Sequence, residues 1–283
     1  MNTYKKIQAA RDPKRLVGRQ LIDIIADNFI EFHGDRYYGD DKAIVGGIGT
    51  VNGKPFTLIA QQKGSDLEER VECNFGMAQP EGFRKAHRLI KQAEKFGRPV
   101  ITIIDTAGAY PGIEAEERGQ ASAIANMLYM LSDVQVPVIS IILSEGGSGG
   151  ALALGISDHI FMFENAFYSV ISPEGFASIL YKGERKVEDV VDSMKIMPED
   201  MIKFGIIDEI IKEPKFQLNV ETYQFQADEL KEKGFAAPVL FDNVSVLFTD
   251  FKGFTKVAET LTPQELIKDL DACFVQFDKI SKL

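Results

Sequence analysis

Along the first third of the chain the apolar positions change period. Over residues 13–32, Val17, Leu21, Ile24, Ile25, Phe29 and Phe32 recur at helical spacing and Gly34 follows as a stop, so the pattern predicts one helix. Residues 43–51 and 55–62 are apolar over strand lengths. Asn52-Gly53 between them predicts a two-residue hairpin, because both residue types tolerate positive φ. Residues 63–79 carry Lys63, Glu68, Glu69, Arg70 and Glu72 and read as a polar surface loop.

From Pro80 the pattern settles into repeated strand–loop–helix units. A helix is expected over 80–96, with Pro80 suited to its first turn and Gly97 to its end. A buried strand over 99–105 leads to a loop over 106–112 and a helix over 114–131. The unit then recurs: strand 137–143, glycine loop 144–150, short helix 151–156. Strands over 159–163 and 166–171 flank a Glu164-Asn165 turn. Helices near 174–181, 187–194 and 198–204 precede a strand over 206–211. Such alternation predicts an α/β architecture with a mainly parallel sheet under helical cover. Beyond residue 213 the texture changes, with helices expected at 221–233 and 262–280 and a strand at 244–248. The domain division expected is therefore 1–213 and 214–283.

Composition narrows the function classes. The chain has 283 residues, 45% hydrophobic and 26% charged, which suits a buried core and one large or two ordinary domains. A formal net charge of −10 argues against binding nucleic acid through the overall field. The longest apolar runs fall far short of the ~20 residues a membrane helix needs, and residues 1–11 lack the apolar core of a signal peptide, so a cytoplasmic protein is expected. Cys73 and Cys273 stand far apart with no ligand-spaced partners, which predicts neither a zinc knuckle nor a disulfide framework.

The glycine loop is the most informative stretch for chemistry. Glycines between a buried strand and a helix leave backbone N–H groups unshielded at the positive end of the helix dipole, where they stabilise an anion. A phosphate-binding loop would need Lys and Ser/Thr where Ala151 and Leu152 stand, and a dinucleotide fingerprint would need Gly at Leu152. Gly146-Gly147-Ser148-Gly149-Gly150 fits a serine-nucleophile elbow literally, which makes a serine hydrolase using Ser148 the alternative. Only His159 follows as a base, with His33 and His87 upstream. An oxyanion hole with no side-chain nucleophile fits the loop best. The loop at 106–112, with Gly108, Ala109 and Tyr110, would face the same crevice at the strand ends. Asp105 and Glu145 are candidate acids whose commoner role is capping loop amides. Tyr110 and Tyr168 are candidate crevice walls whose commoner role is packing, and Lys63, Arg70 and Arg84 are exposed basic candidates for phosphate contacts whose commoner role is solvated surface.

Several motifs in order carry a resemblance. They are Asp40-Asp41-Lys42-Ala43-Ile44-Val45-Gly46-Gly47-Ile48, Asn74-Phe75-Gly76-Met77, Pro80-Glu81-Gly82 and Gly108-Ala109-Tyr110-Pro111-Gly112, then Ala115-Glu116-Glu117-Arg118-Gly119-Gln120, Glu145-Gly146-Gly147-Ser148-Gly149-Gly150-Ala151-Leu152-Ala153 and Ser172-Pro173-Glu174-Gly175. From about residue 7 to 213 the chain closely resembles the alpha subunit of bacterial acetyl-CoA carboxylase carboxyltransferase, in a short form without a longer helical N-terminal extension. The resemblance implies a crotonase/ClpP-like fold, a superhelix of ββα units. It implies carboxyl transfer from carboxybiotin on the biotin carboxyl carrier protein to acetyl-CoA, giving malonyl-CoA, the first committed step of fatty acid biosynthesis. It also implies a beta-subunit partner in an α2β2 heterotetramer, with the zinc on that partner and no metal in this chain, and an ATP-dependent biotin carboxylase in the complex. By the same resemblance, the amides at Gly149 and Gly150 stabilise charge on the biotin ureido oxygen, and Gly146 and Gly147 shape the loop. Gly146, Gly147, Ser148, Gly108, Ala109 and Tyr110 are the expected substrate-binding residues.

The tail resembles something else. Val244-Ser245-Val246-Leu247-Phe248-Thr249-Asp250-Phe251-Lys252-Gly253-Phe254-Thr255, with Leu261-Thr262-Pro263-Gln264-Glu265-Leu266, is similar to the opening of a class III nucleotide (adenylate) cyclase catalytic domain. There Asp250 matches a metal-binding Asp. Two-metal chemistry needs a second carboxylate, which in that family lies beyond the matched stretch, so no cyclase activity and no functional metal at Asp250 are expected. This foreign appendage also leaves open a catalytically inactive fusion or scaffold.

Overall fold

The computed structural model describes residues 2–182 and 185–213. The helices and strands expected after residue 213, with Asp250 and Cys273, lie outside the described residues. In chain order the elements are α1 (Thr3–Ala10), α2 (Gly18–Ile25), β1 (Asp27–Glu31), β2 (Ile44–Val51), β3 (Lys54–Gln61), α3 (Leu67–Glu72), α4 (Pro80–Lys95), β4 (Val100–Thr106), α5 (Ile113–Glu117) and α6 (Gln120–Leu131). They continue with β5 (Val138–Gly147), α7 (Ser148–Gly155), β6 (His159–Phe163), β7 (Phe167–Ser169), α8 (Pro173–Tyr181), α9 (Val187–Val190), α10 (Pro198–Lys203) and β8 (Glu209–Ile211).

The strands form one sheet in the order β1-β2-β3-β4-β5-β6-β8, with β7 set beside the far end of β5. β1–β2 and β2–β3 are antiparallel; β3–β4, β4–β5, β5–β6 and β6–β8 are parallel. The predicted hairpin turn is present: Val51 pairs with Lys54, and Asn52 and Gly53 take φ of 49° and 81°. β4 and β5 are buried along their whole length, as strands covered on both faces must be, and their Val/Ile-rich runs carry that signal. α4 packs on α6, α6 on α7, and α7 against β4 and β5. One continuous apolar core joins these elements, from Leu21 through Phe83, Ile103 and Ile141 to Leu154.

Several elements differ from the sequence expectation. The helix expected over 13–32 stops at Ile25, and its second half is β1. Gly47 and Gly49 on β2 present bare backbone, and a side chain at Gly47 would stand 2.1 Å from the Ile30 carbonyl. Pairing with that strand wins over helical spacing. The loop expected over 63–79 contains α3, capped by the Asp66 carboxylate accepting from the Glu69 amide. The helix expected over 114–131 breaks at Gly119, which has φ 84°, into α5 and α6. α1 was unannounced by periodicity. Asn2 caps it, and Ile7 and Ala10 bury against Phe167, Val191, Ile196 and Met197. The strands expected at 166–171 and 206–211 shrink to β7 and β8, three residues each.

Candidate functional site

The expected boundary between strand and glycine loop moves. β5 continues through Glu145, Gly146 and Gly147, paired with β7, and helix α7 opens at Ser148. Gly149 and Gly150 thus occupy the first helical turn, where N–H groups have no intrahelical acceptor. Gly146 is bare because a side chain there would meet the Tyr168 ring at 2.6 Å.

The second loop is brought against the first, as the sequence implied. A Cβ on Gly147 would lie 2.1 Å from the Ala107 carbonyl oxygen. One on Gly150 would lie 2.4 Å from the Ala109 nitrogen and 2.5 Å from the Gly108 carbonyl carbon. Gly149 differs: the nearest atom to a side chain there would be Ile124 Cγ2 at 4.0 Å. Gly149 therefore borders open space while Gly150 is wedged between walls. Tyr110 donates its backbone N–H to the Ala78 carbonyl, and its own carbonyl accepts from Gln120. Ser148 is exposed and held at φ 52°, a left-handed conformation that non-glycine residues adopt at a cost.

Beside Ser148 and Gly149 opens a cleft of about 550 Å³. Leu152, Tyr168, Val170, Phe176, Met201 and Phe204 give it a mainly apolar wall. Tyr168 is thus a wall residue as well as a packing residue.

Beneath the two loops the candidate acids are tied into an ion cluster. Lys63 Nζ lies 2.8 Å from Asp105 and 3.1 Å from Glu145, and Arg11 bridges Glu145 and Glu174 at 2.7 Å each. The Glu145 amide donates to the Asp105 carboxylate at 3.2 Å. Burial alone would raise Glu145, but Lys63 and Arg11 outweigh it and hold the carboxyl below its ordinary range. Burial raises Asp105 despite Lys63, and the nearby Glu145 charge adds to the rise. Burial works against the Lys63 charge, yet the two carboxylates keep its pKa raised. These acids are structural ties between strand ends.

The basic candidates are corrected. Lys63 is not an exposed phosphate contact: it is sunk in this cluster. Arg70 donates to the carbonyls of Gly64 and Pro13, and Arg84 binds the Asp35 carboxylate at 2.7 Å and lies over Tyr37. Each guanidinium is occupied by neighbouring chain.

The serine-hydrolase alternative loses its base. Parallel register sets His159 beside Ile139, and at ~3.3 Å per residue that is roughly 30 Å back along the strand from Ser148. Its ring lies tilted against Phe161, with centroids 4.4 Å apart. His33 is held by Asp40 at 3.1 Å, and burial lowers the pKa of His87 on α4.

Sequence reasoning missed Gln61, the last residue of β3, which is fully buried. Its amide donates to the Gly150 carbonyl at 2.8 Å and its oxygen accepts from the Asp105 amide at 3.1 Å. It missed Arg15 as well, which donates to Ser144 Oγ and the Leu143 carbonyl and pairs with Glu213 at 2.6 Å. A glutamine or arginine between elements carries no local signal of its partners. Among the described residues no group of three or more His, Cys, Asp or Glu forms a candidate metal set, and no helix is long and apolar enough to cross a membrane.

Comparison with known proteins agrees with this geometry. The chain is 57% identical over 212 residues to the acetyl-coenzyme A carboxylase carboxyl transferase subunit alpha of Clostridium botulinum (strain Alaska E43 / Type E3), covering 75% of this chain and 77% of that protein. It is 56% identical over 214 residues to the beta/alpha-subunit protein of Clostridium tetani (strain Massachusetts / E88). That alignment covers 76% of this chain and only 37% of that longer protein. Among solved structures, a transcarboxylase 12S with methylmalonyl-coenzyme A bound superposes with a TM-score of 0.61 at 21% identity, over 84% of this chain and 46% of the other. The fold is therefore the crotonase-type α/β fold of carboxyltransferases. The adenylate and guanylate cyclase catalytic domain matches residues 237–282, outside the described residues. The acetyl co-enzyme A carboxylase carboxyltransferase-like family matches residues 1–234, past the expected close of the resemblance at 213, and to that family the chain belongs.

Proposed function

We propose that the chain is the alpha subunit of an acetyl-CoA carboxylase carboxyltransferase, moving a carboxyl group from carboxybiotin to acetyl-CoA to give malonyl-CoA. The observation that carries the reading is the first turn of α7, where the amides of Gly149 and Gly150 lead a helix into the crevice between two strand-end loops. Carboxybiotin, when bound, supplies the activated carboxyl group and a ureido oxygen that gains negative charge as the group departs. The open side of Gly149 and the adjoining cleft suit a compact ring with one polar edge. The Gly149 and Gly150 N–H groups donate to that oxygen, aided by the positive end of the helix dipole. Gly146 and Gly147 let β5 approach Tyr168 and the 106–112 loop, Ser148 turns the chain into the helix, and Gly108, Ala109 and Tyr110 form the opposite wall. The apolar cleft wall, once covered by substrate and the beta subunit, would keep water from the donors and so strengthen them.

In this reading the beta subunit completes the site in an α2β2 assembly and carries the zinc. Biotin carboxyl carrier protein and an ATP-using biotin carboxylase supply the carboxylated biotin, in the cytoplasm and for fatty acid synthesis. The carboxyltransferase unit is proposed to span 1–213, with 214–283 an appendage that has no cyclase activity. Production of cyclic AMP from ATP with Mg or Mn by the isolated chain would contradict that last point.

The test is malonyl-CoA formation by this chain with a cognate beta subunit, carboxybiotin and acetyl-CoA, with and without the residues after Glu213. Partner-dependent turnover by the full chain is expected and excludes the inactive scaffold. No turnover from a complex that still forms would overturn the reading.

A further inference from the structure

We infer that Gln61 is a positioning residue for the Gly149–Gly150 amides, holding the first turn of α7 at a fixed height over the end of β4. The inference rests on the oxyanion role proposed above and extends it to a residue that touches no substrate.

Gln61 is fully buried, and both ends of its amide are used across elements. Nε2 donates to the Gly150 carbonyl at 2.8 Å, and Oε1 accepts from the Asp105 N–H at 3.1 Å. One planar group thus links β3, the end of β4 and the opening of α7. At its other end α7 is fixed by the Leu154 carbonyl, which accepts from Thr102 Oγ1 at 2.8 Å and from Ser140 Oγ at 3.1 Å. At the opening, the Gly108–Ala109 peptide presses on Gly150 where a side chain would be. That contact can only push, and Gln61 supplies the directional pull. Ser148, at φ 52°, marks the strained step that this pull helps to hold. Gln61 holds the Gly150–Ala151 peptide plane directly, and the plane carrying the Gly150 N–H follows it through the shared Gly150 Cα. Without the Gln61 donor both planes lose that anchor and can tilt within the first turn. Oxyanion donors lose effect steeply with misplacement, about 10²-fold for roughly 1 Å.

The test uses the full chain with its beta subunit and two variants. Gln61→Met keeps the volume and removes both hydrogen bonds. Gln61→Glu keeps the acceptor for the Asp105 amide but sets a carboxyl against the Gly150 carbonyl. Buried there, that carboxyl has a raised pKa and donates only when protonated. For Gln61→Met we expect kcat to fall by ~10- to 100-fold with KM for acetyl-CoA within about twofold. For Gln61→Glu we expect its activity relative to wild type to climb as pH is lowered from 8 to 6, while the Gln61→Met ratio stays flat. A merely structural glutamine would give no such acid rescue.

A second readout does not depend on turnover. In glycine-labelled ¹⁵N spectra, the amide signals of Gly149 and Gly150 should shift in Gln61→Met, while Gly53 in the distant hairpin stays in place. Unshifted Gly149 and Gly150 amides, or wild-type kcat in Gln61→Met, would overturn the inference. Shifted amides in a chain whose wild type transfers no carboxyl group would keep Gln61 as the positioning residue and remove the proposed function instead.

Discussion

The loops after β4 and β5 begin alike and end differently. Each leaves the C-terminal end of a fully buried parallel strand, and each of those strands carries near its end an acid, Asp105 or Glu145, tied to Lys63. After β4 the chain wanders through Gly108, whose Thr106 hydroxyl neighbour binds its amide and carbonyl, and reaches only the short α5. After β5 it turns within one residue into α7. The first loop therefore satisfies part of its own backbone, while the second places Gly149 and Gly150 in a first helical turn, the arrangement on which the proposed oxyanion role rests. Two similar glycine-bearing segments differ in structure by whether a helix follows at once.

The largest expected effect comes from cutting the tie between the loops. Lys63→Ala strands two buried carboxylates with less positive charge, and we expect a loss of about 3–5 kcal/mol in urea unfolding. A loss below about 1 kcal/mol would mean that the strand ends are held by packing alone. Next, Gly150→Ala drives a methyl group into the Ala109 amide, whereas Gly149→Ala points into open space. The barrier to carboxyl transfer should rise by about 2.7–4 kcal/mol for Gly150→Ala, the worth of an oxyanion donor, together with a loss of stability. Gly149→Ala should keep wild-type stability and weaken transfer only by placing a methyl group in the space proposed for the biotin ring. Equal losses of stability in urea unfolding would remove the distinction drawn between wedged and open glycines.

The two acids should also part company with pH. Glu145 is held below its ordinary pKa, so its contribution to stability is present above that range and is lost as pH falls below it. Asp105 is raised, so the native chain holds its proton more tightly than the unfolded one. Its contribution is present at low pH and is lost as pH rises through the folded value. Melting temperature followed from pH 3 to 8 should show a shallower acid-side decline in Glu145→Gln, while Asp105→Asn keeps that decline. The smallest effect is at Ser148. Ser148→Gly relieves a left-handed residue and should stabilise by about 1 kcal/mol with transfer nearly intact, since no hydroxyl chemistry is assigned there. Abolished transfer would revive a nucleophilic serine.

Much of the fold was legible because β4 and β5 begin as Val/Ile-rich runs, and Asn52-Gly53 allows few alternatives to a hairpin. Gly146 to Gly150 could be read as an anion site from composition alone. Gln61 and Arg15 could not, because a single polar side chain carries no trace of a partner 89 or 128 residues away. The same limit explains Lys63, which reads as solvated surface until two strands place Asp105 and Glu145 around it.

The sequence by itself determined the parallel core strands, the hairpin, the family, and the glycines that permit close backbone approach. These follow from local period, turn chemistry and the absence of side chains. Tertiary structure alone decided that residues 27–31 pair with β2 instead of finishing a helix, and that β5 runs on to Gly147 so that Gly149 and Gly150 open α7. It also decided that the charges beneath the loops are spent on one another. The reason is physical in each case: backbone pairing and ion pairing are settled between distant segments, and only the folded chain brings those segments within reach.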